Sequence, residues 1–401
     1  MTYIGENVIE TSGVAPFFKV GNADELGLEP PAIRRGDALR TWVHHISGFQ
    51  KEAIVISART GQTWRVVSDE GAYLDGYDAA PAPLPFLTTG MVAAYMNEIL
   101  ALAKRNGVEM RHLRLIQDNF YTMRGSMPKR TMEGGALPVD LEVEINCDLD
   151  DAGLNQFLMD AIHTSPLNGL MRGENNSLFA LDKNGAQLSP DIVGALVGAM
   201  PTDPGDRFAD AVADESPHLL LERLGLTPKK EVREGTVTAS ASLADKQSRV
   251  LNIRAVCQLR DDGIKEITTL LYSPHGTSFR FLSDEAPVNG GQGRAPDANS
   301  YISAGVGLCF MTQLGRFATM GKLDLEDYRI IQDTHFSLGG ASGGTGKAGE
   351  ADPVETHVYL KTSESDDVAR EMLDMSEQTC FLHAFCRTDL KTKLRVVRKG
   401  T

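Results

Sequence analysis

The chain has 401 residues, 42% of them hydrophobic, with 40 basic against 54 acidic side chains. That length supports two or three packed cores rather than one, and a formal charge of −14 disfavours nonspecific nucleic-acid or anionic-membrane partners. The opening MTYIGENVIETSGVAPFF has no basic segment ahead of an apolar core, and no stretch is continuously apolar over the ~18 residues that a membrane span needs, so a cytoplasmic protein with neither a nucleic-acid nor a membrane partner is expected.

In chain order, residues 1–35 read as an irregular N-terminal arm. IVISARTGQTWRVVSDE (54–70) alternates like two strands joined by a Gly-containing turn, and a Gly/Pro-rich loop follows. A helix is expected over about 86–106, apolar on nearly every face and therefore buried. RHLRLIQDNFYT and LPVDLEVEINCDL then alternate as strands, and a second helix opens at Asp150-Asp151, where acids suit a helix N-terminus. SLFAL closes this half. Residues 181–245 read as a helical linker, with Ser216 as N-cap of an amphipathic SPHLLLERLGL segment. Beyond it the same order recurs: strands in 267–285, a buried helix at 301–320, strands EDYRIIQDTHFSL and DPVETHVYLKTS, a helix from Asp366-Asp367, and a last strand KLRVV.

The recurrence extends to individual residues. FLTTGMVAAYMNEILALAKRNGVEMRHLRLIQDNFYTMRG (86–125) and YISAGVGLCFMTQLGRFATMGKLDLEDYRIIQDTHFSLGG (301–340) align without a gap at an offset of 215 (301 − 86), sharing Gly90/Gly305, Met96/Met311 and Ile116-Gln117-Asp118/Ile331-Gln332-Asp333. Upstream, Ser68-Asp69-Glu70 meets Ser283-Asp284-Glu285; downstream, Asp151 meets Asp366. A constant offset over such a length reads as a tandem duplication, with one α+β domain over 36–180 and another over 246–401.

From Gly290 the second copy runs GGQGRAPDANSYISAGVGLCF, and its second helix is expected to hold CFLHAFCR, with Cys380, Ala384 and Arg387. This resembles the OsmC/Ohr family of thiol-dependent hydroperoxide reductases, whose GGxG loop precedes TNPEQLFAAGYxAC and whose second motif is CPYSxAxRG. The resemblance covers about 250–400 and, more faintly, 40–180. It implies curved antiparallel sheets wrapped around two buried central helices, with strands exchanged between copies. Two OsmC-like domains in tandem would then form, inside one chain, the pseudo-dimer that the family builds from two, as a monomer or as a homodimer of such chains. At the same offset Cys309 corresponds to Ala94 and Cys380 to Ser165, so one thiol site rather than two is expected.

Five cysteines without a CxxC pair or zinc spacing do not make a secreted disulfide framework, and a buried free cysteine is ordinarily a small hydrophobe. The resemblance gives two of them a role. Cys309 would attack the outer oxygen of an organic hydroperoxide and become a sulfenic acid. Cys380 would resolve it as a disulfide that a cellular dithiol reduces. The substrate expected is small, apolar and organic, and no cofactor is called for. Burial raises a thiol pKa unless a cation is near; in the family an arginine from an early strand is that cation, and LRDDGIKEI (259–267) resembles its GGRDGxAxS strand, which nominates Arg260, with Arg280 and Arg387 behind it. Asn299 stands where the family has a glutamate that holds its arginine, with Asp297 two positions away.

Two other chemistries remain open. His383 lies three residues from Cys380, the spacing of neighbours on a helix face, and with His335 it offers Cys309 a base for a Cys-dependent hydrolase or lyase. A noncatalytic small-molecule binding protein is the third reading. Cys147 and Cys257 read as strand packing, and Cys386 as facing another side of its helix. His44-His45 lacks a third ligand and no HExxH occurs, so no metal is expected. GGASGGTGK, within 338–353, reads as a hairpin loop rather than a phosphate loop, because an acidic, Pro-containing segment follows Lys347 where a helix is needed.

Overall fold

A computed structural model describes residues 5–172, 175–205, 209–214, 218–229 and 247–400. The first half comprises α1 (Val8–Thr11), β1 (Phe18–Lys19), β2 (Asp37–Ser47), β3 (Gln50–Ser57), β4 (Thr63–Ser68), α2 (Pro83–Asn106), β5 (Met110–Gly125), β6 (Glu133–Cys147), α3 (Asp151–His163) and β7 (Leu178–Lys183). Short strands β8 (Ala186–Leu188), β9 (Gly194–Ala195) and β10 (Leu221–Leu226) follow. The second half comprises β11 (Gln247–Leu259), β12 (Lys265–Ser273), β13 (Thr277–Ser283), α4 (Ala298–Gly321), β14 (Asp327–Phe336), β15 (Glu355–Lys361), α5 (Asp366–Thr379), α6 (Phe381–Arg387) and β16 (Thr392–Arg398). The fold class is α+β.

The 215-residue offset recurs in these elements: α4 begins and ends 215 residues after α2 (298 − 83; 321 − 106). Both helices start three residues earlier than the apolar pattern alone indicates, because their starts are set by local chemistry. Pro83 occupies the first turn of α2, where a missing N–H costs nothing. The Asp297 carboxylate accepts from Ser300 N at 2.7 Å and caps α4. Gly107 ends α2 in the left-handed region at φ 67°, where glycine carries no Cβ penalty.

Two sheets enclose the helices, one ordered β1-β4-β3-β2-β14-β15-β7-β8 with β9 beside β7, the other β10-β13-β12-β11-β5-β6-β16. Each is continuous across the two halves of the sequence. Trp42 of β2 faces Ile331 of β14, and Ala255 of β11 faces Gln117 of β5, both in antiparallel ladders. The sheets are not wholly antiparallel as expected: β7 runs parallel to β15, and β16 parallel to β6. Alternation along a strand reports a half-buried surface and carries no information on the partner's direction. The helical connections through α3 and through α5–α6 are long enough to permit parallel entry, which a hairpin is not.

The linker expectation also changes. The described part of 181–245 contains β8, β9 and β10 and no helix, and the Ser216 cap lies outside the described residues. The LLLERLGL run instead pairs as an edge strand with β13, buries Leu220 and Leu221, and passes a register shift at Gly225, whose φ of 98° is incompatible with a helix. The N-terminal arm is more ordered than an irregular segment. Phe18 pairs through β1, and the buried Phe17 ring stands 5.6 Å from Phe86 and 6.4 Å from Tyr301.

Phe86 and Tyr301 are equivalent at the 215 offset, and they meet at 6.3 Å where α2 crosses α4. One turn on, each of the two shared glycines lies against the backbone of the opposite helix. A Cβ on Gly90 would stand 2.6 Å from the Ala298 carbonyl oxygen, and one on Gly305 would stand 2.9 Å from Leu87 N. Glycine inside a helix costs about 1 kcal/mol relative to alanine, so both positions exchange intrinsic helix stability for close approach. Gly90→Val is therefore expected to lower the free energy of unfolding by about 2 kcal/mol, within the range for overpacked cores, as read from the midpoint of urea denaturation. An unchanged midpoint would mean the crossing is looser than described.

Candidate functional site

The cysteine on α4 and the second motif cysteine are brought together by a break between two helices. Cys380 does not sit within a helix as expected; it is the extended residue (φ −71°, ψ 119°) where α5 ends and α6 begins. Arg387 holds this break. It donates to Glu377 Oε1 at 2.6 Å and to the carbonyl of Gln378 at 3.2 Å, satisfying groups that a helix C-terminus leaves open. Gln378 donates from Nε2 to the Met132 carbonyl at 2.7 Å, and a Cβ on Gly134 would stand 2.7 Å from the Thr379 carbonyl oxygen. The backbone of β6 thus fixes the height of Cys380. In the first half the equivalent Ser165 precedes a short 3-10 turn, Pro166–Met171, in place of α6.

Cys309 and Cys380 are both free, both buried, and hydrogen-bonded to each other. His383 Nδ1 lies 3.2 Å from Cys380 Sγ, with the imidazole held between Phe179 and Phe310 at ring distances of 5.4 and 5.5 Å. The start of α6 also contributes: the Leu382 N–H donates to the Cys309 sulfur and the His383 N–H to the Cys380 sulfur. The two thiols are driven apart in acidity. Burial pushes Cys309 well above the ordinary thiol value, and the hydrogen bond and negative charge of Cys380 add to this. Burial opposes a charge on Cys380 too, but the hydrogen bond from Cys309 and the charge and hydrogen bonds of His383 bring it well below. The arrangement therefore favours negative charge on Cys380 over negative charge on Cys309.

Cys309, not Cys380, opens onto a cleft whose rim includes the half-buried Tyr73 and Leu74. The cations near it come from places the sequence did not indicate. Lys51, fully buried on β3 of the other half, donates to the Phe49 carbonyl at 2.5 Å and interacts with Glu70, Asp69 and Cys309; burial lowers its pKa and those three groups oppose the change. Glu70, whose pKa burial raises, accepts from Thr312 Oγ1 of α4 at 2.9 Å and from Tyr73 at 2.8 Å. Arg316 and Arg249 also line the cleft. Arg316 follows Cys309 by two helical turns (316 − 309 = 7), a spacing visible in the sequence; Lys51 had as its signal only a lysine at the polar start of the strand QKEAIVIS.

Several nominated residues lie elsewhere. Arg260 is in the turn after β11, paired with Asp262 at 3.5 Å with its side chain 43% exposed, and does not line the cleft. Arg280, on β13, binds Glu222 of the edge strand β10 at 2.5 Å and does not line the cleft. Asn299 precedes Cys309 by ten residues on one helix, about 15 Å along the axis at 1.5 Å per residue. It lines a different cavity, beside Ala94 and Glu98, at the thiol-less position of the first half. Its equivalent, Leu84 (299 − 215), lines the Cys309 cleft instead. Asp297 faces Glu285, and burial together with that charge raises its pKa to about 7. His335 lies on β14 opposite Ala38, among Arg34, Glu355, Asp333 and Asp352, and does not border the cleft. Cys147, Cys257 and Cys386 are buried, and burial pushes the last two up to about 12.

The stretch that carries both thiols, His383 and Arg316 has recognisable relatives: residues 291–395 match the family described as OsmC-like protein. This segment is an OsmC-like domain. The OsmC-like match leaves out Lys51, Glu70 and Arg249, so part of the cleft is built by residues beyond it. Among solved structures, an OsmC-like hydroperoxide resistance protein from Jannaschia sp. CCS1 is 19% identical, covering 32% of this chain and 79% of its own with a TM-score of 0.18. No curated protein matches the chain.

Because His383 lowers the Cys380 pKa, its removal has a signed effect. His383→Phe keeps an aromatic ring between Phe179 and Phe310 and removes the nitrogen. The rise of thiolate absorbance at 240 nm, measured against pH, is expected to move upward by about one unit, a tenfold smaller thiolate fraction at a given pH below the pKa. Cys380→Ser should remove that transition. A wild-type titration with no thiolate below pH 8 would contradict the assignment.

Proposed function

We propose that the chain is a thiol-dependent peroxidase-like enzyme that reduces a hydroperoxide at Cys309 and resolves the product through Cys380. The observation that carries this reading is the direct contact of two free thiols of which only Cys309 reaches the cleft. The OsmC-like match over 291–395 supports it at the level of the family. Cys309 passes its proton to the Cys380 thiolate across their hydrogen bond and attacks the outer oxygen of ROOH. The O–O bond breaks, RO⁻ leaves and takes a proton from water in the cleft to become ROH, and Cys309 becomes a sulfenic acid. The Cys380 sulfur, its proton released to His383, attacks the sulfenic sulfur; water leaves and the disulfide forms. An external dithiol returns both thiols. The balance is ROOH plus two thiols giving ROH, water and a disulfide.

One observation favours a second reading. The 3.2 Å approach of His383 Nδ1 to Cys380 Sγ is the geometry of a nucleophile and its base in hydrolysis or lyase chemistry.

Stoichiometric cumene hydroperoxide, followed by intact-mass and peptide analysis, separates the two. The peroxidase reading expects rapid loss of two hydrogens as a Cys309–Cys380 disulfide. Cys309→Ser should abolish oxidation, and Cys380→Ser should stop it at a dimedone-reactive sulfenic acid on Cys309. Slow, unselective oxidation of all five thiols, with p-nitrophenyl ester turnover lost in Cys380→Ser, would favour hydrolysis.

A further inference from the structure

Arg316 is 2% exposed, yet its Nε and Nη2 have no hydrogen-bond partner among the described residues, and Nη1 makes one long contact, 3.4 Å to Gln313 Oε1. Arg249 Nε, half-buried on β11 and bordering the same cleft, is likewise without a partner. A buried guanidinium left unsatisfied is costly, and the nearest acid cannot relieve it: Glu70 already accepts from Thr312 and Tyr73 and faces Lys51.

The other half gives an internal comparison. Arg316 corresponds to Ala101 (316 − 215), so the guanidinium and the thiol are absent together there. On β11 and β2 the strand registers match Arg254 opposite Asp118 to Arg40 opposite Asp333, an offset of 214 (254 − 40), so Arg249 corresponds to Arg35, which is paired with Glu350 at 2.6 Å and with Asp352. Only beside Cys309 are the arginines left facing open space. That space amounts to about 40 Å³, more than one water requires, and Leu251, Leu271 and Phe381 supply an apolar wall to it.

We propose that Arg316 and Arg249 form an anion subsite next to Cys309, and that the molecule handled there is a small amphipathic organic acid, its carboxylate on the guanidinium groups and its short chain along the apolar wall. The planar fork of arginine matches a carboxylate in two parallel hydrogen bonds. Burial and the neighbouring Arg249 lower the Arg316 pKa to about 10, which leaves it charged at neutral pH. This replaces the wholly apolar substrate expected from the sequence. It names the substrate class for the peroxidase reading and rests on that reading for the chemistry alone.

The test therefore uses a probe that cannot be oxidised. Hexanoate and methyl hexanoate are titrated calorimetrically into wild type, Arg316→Gln and Arg249→Gln, and the rate of iodoacetamide alkylation at Cys309 is followed in parallel. The expected result is hexanoate binding at least tenfold tighter than the ester, a loss of tenfold or more in each variant for the acid but not for the ester, and hexanoate protection of Cys309. Equal binding of acid and ester, no binding to wild type, or an Arg316→Gln protein that binds hexanoate as wild type does would overturn the proposal. Should Arg316→Gln fail to fold, the acid–ester difference in wild type and the Arg249→Gln variant still decide. Failure of the hydroperoxide experiment would leave this readout unaffected, since no redox step enters it.

Discussion

The close approach of α2 to α4 is the constraint on which the rest of the molecule rests. Two 24-residue helices, apolar on nearly all faces, can be buried together only if their backbones come near, and Gly90 and Gly305 make that possible at equivalent points. Once the helices are crossed, each half's outer strands find their hydrogen-bonding partners on the other half, and both sheets become continuous across the sequence. The cleft at Cys309 inherits this arrangement. One wall comes from α4, β11 and Phe381, the other from Glu70, Tyr73 and the start of α2.

Within that frame the proposed chemistry divides the labour between two sulfurs. Cys309 has access to the cleft; Cys380 has the histidine and the surroundings that favour its negative charge. Cys380 owes its place to backbone features, the break between α5 and α6, the Arg387 contacts and the tight packing over Gly134, none of which reacts. The buried charges around Cys309 are unevenly matched, since Lys51 faces Glu70 and Asp69 while the two arginines face the cleft.

Much of this was legible from residues alone where the signal was local. The gapless offset, the acidic starts of α3 and α5 and the two cysteine positions follow from spacing within a few turns or from direct comparison of one half with the other. What escaped was set by contacts across the chain. The nomination of Arg260 assumed that a strand near in sequence supplies the cation, whereas Lys51 arrives from 258 residues away (309 − 51) through strand exchange. Asn299 was misplaced because a position in a motif says nothing about axial distance: ten helical residues put it in the other cavity. The LLLERLGL segment has apolar residues at spacings that fit helix and edge strand alike, and pairing with β13 together with the backbone of Gly225 decided between them. Arg316 could have been found, since it lies on the Cys309 face of a helix whose neighbours are otherwise apolar.

The continuity of both sheets across one polypeptide has a consequence for dilution. Where such sheets are closed by two separate chains, the cleft exists only while the chains stay associated, and its population falls with total concentration. Here the segments that complete the cleft are tethered, so each meets its complement at a fixed effective concentration. Lys51 and Glu70 are delivered to Cys309 in a ratio of one to one whatever the amount of protein present. The composition of the site is thereby insensitive to expression level, and a substitution in either half changes one cleft without being copied into the other.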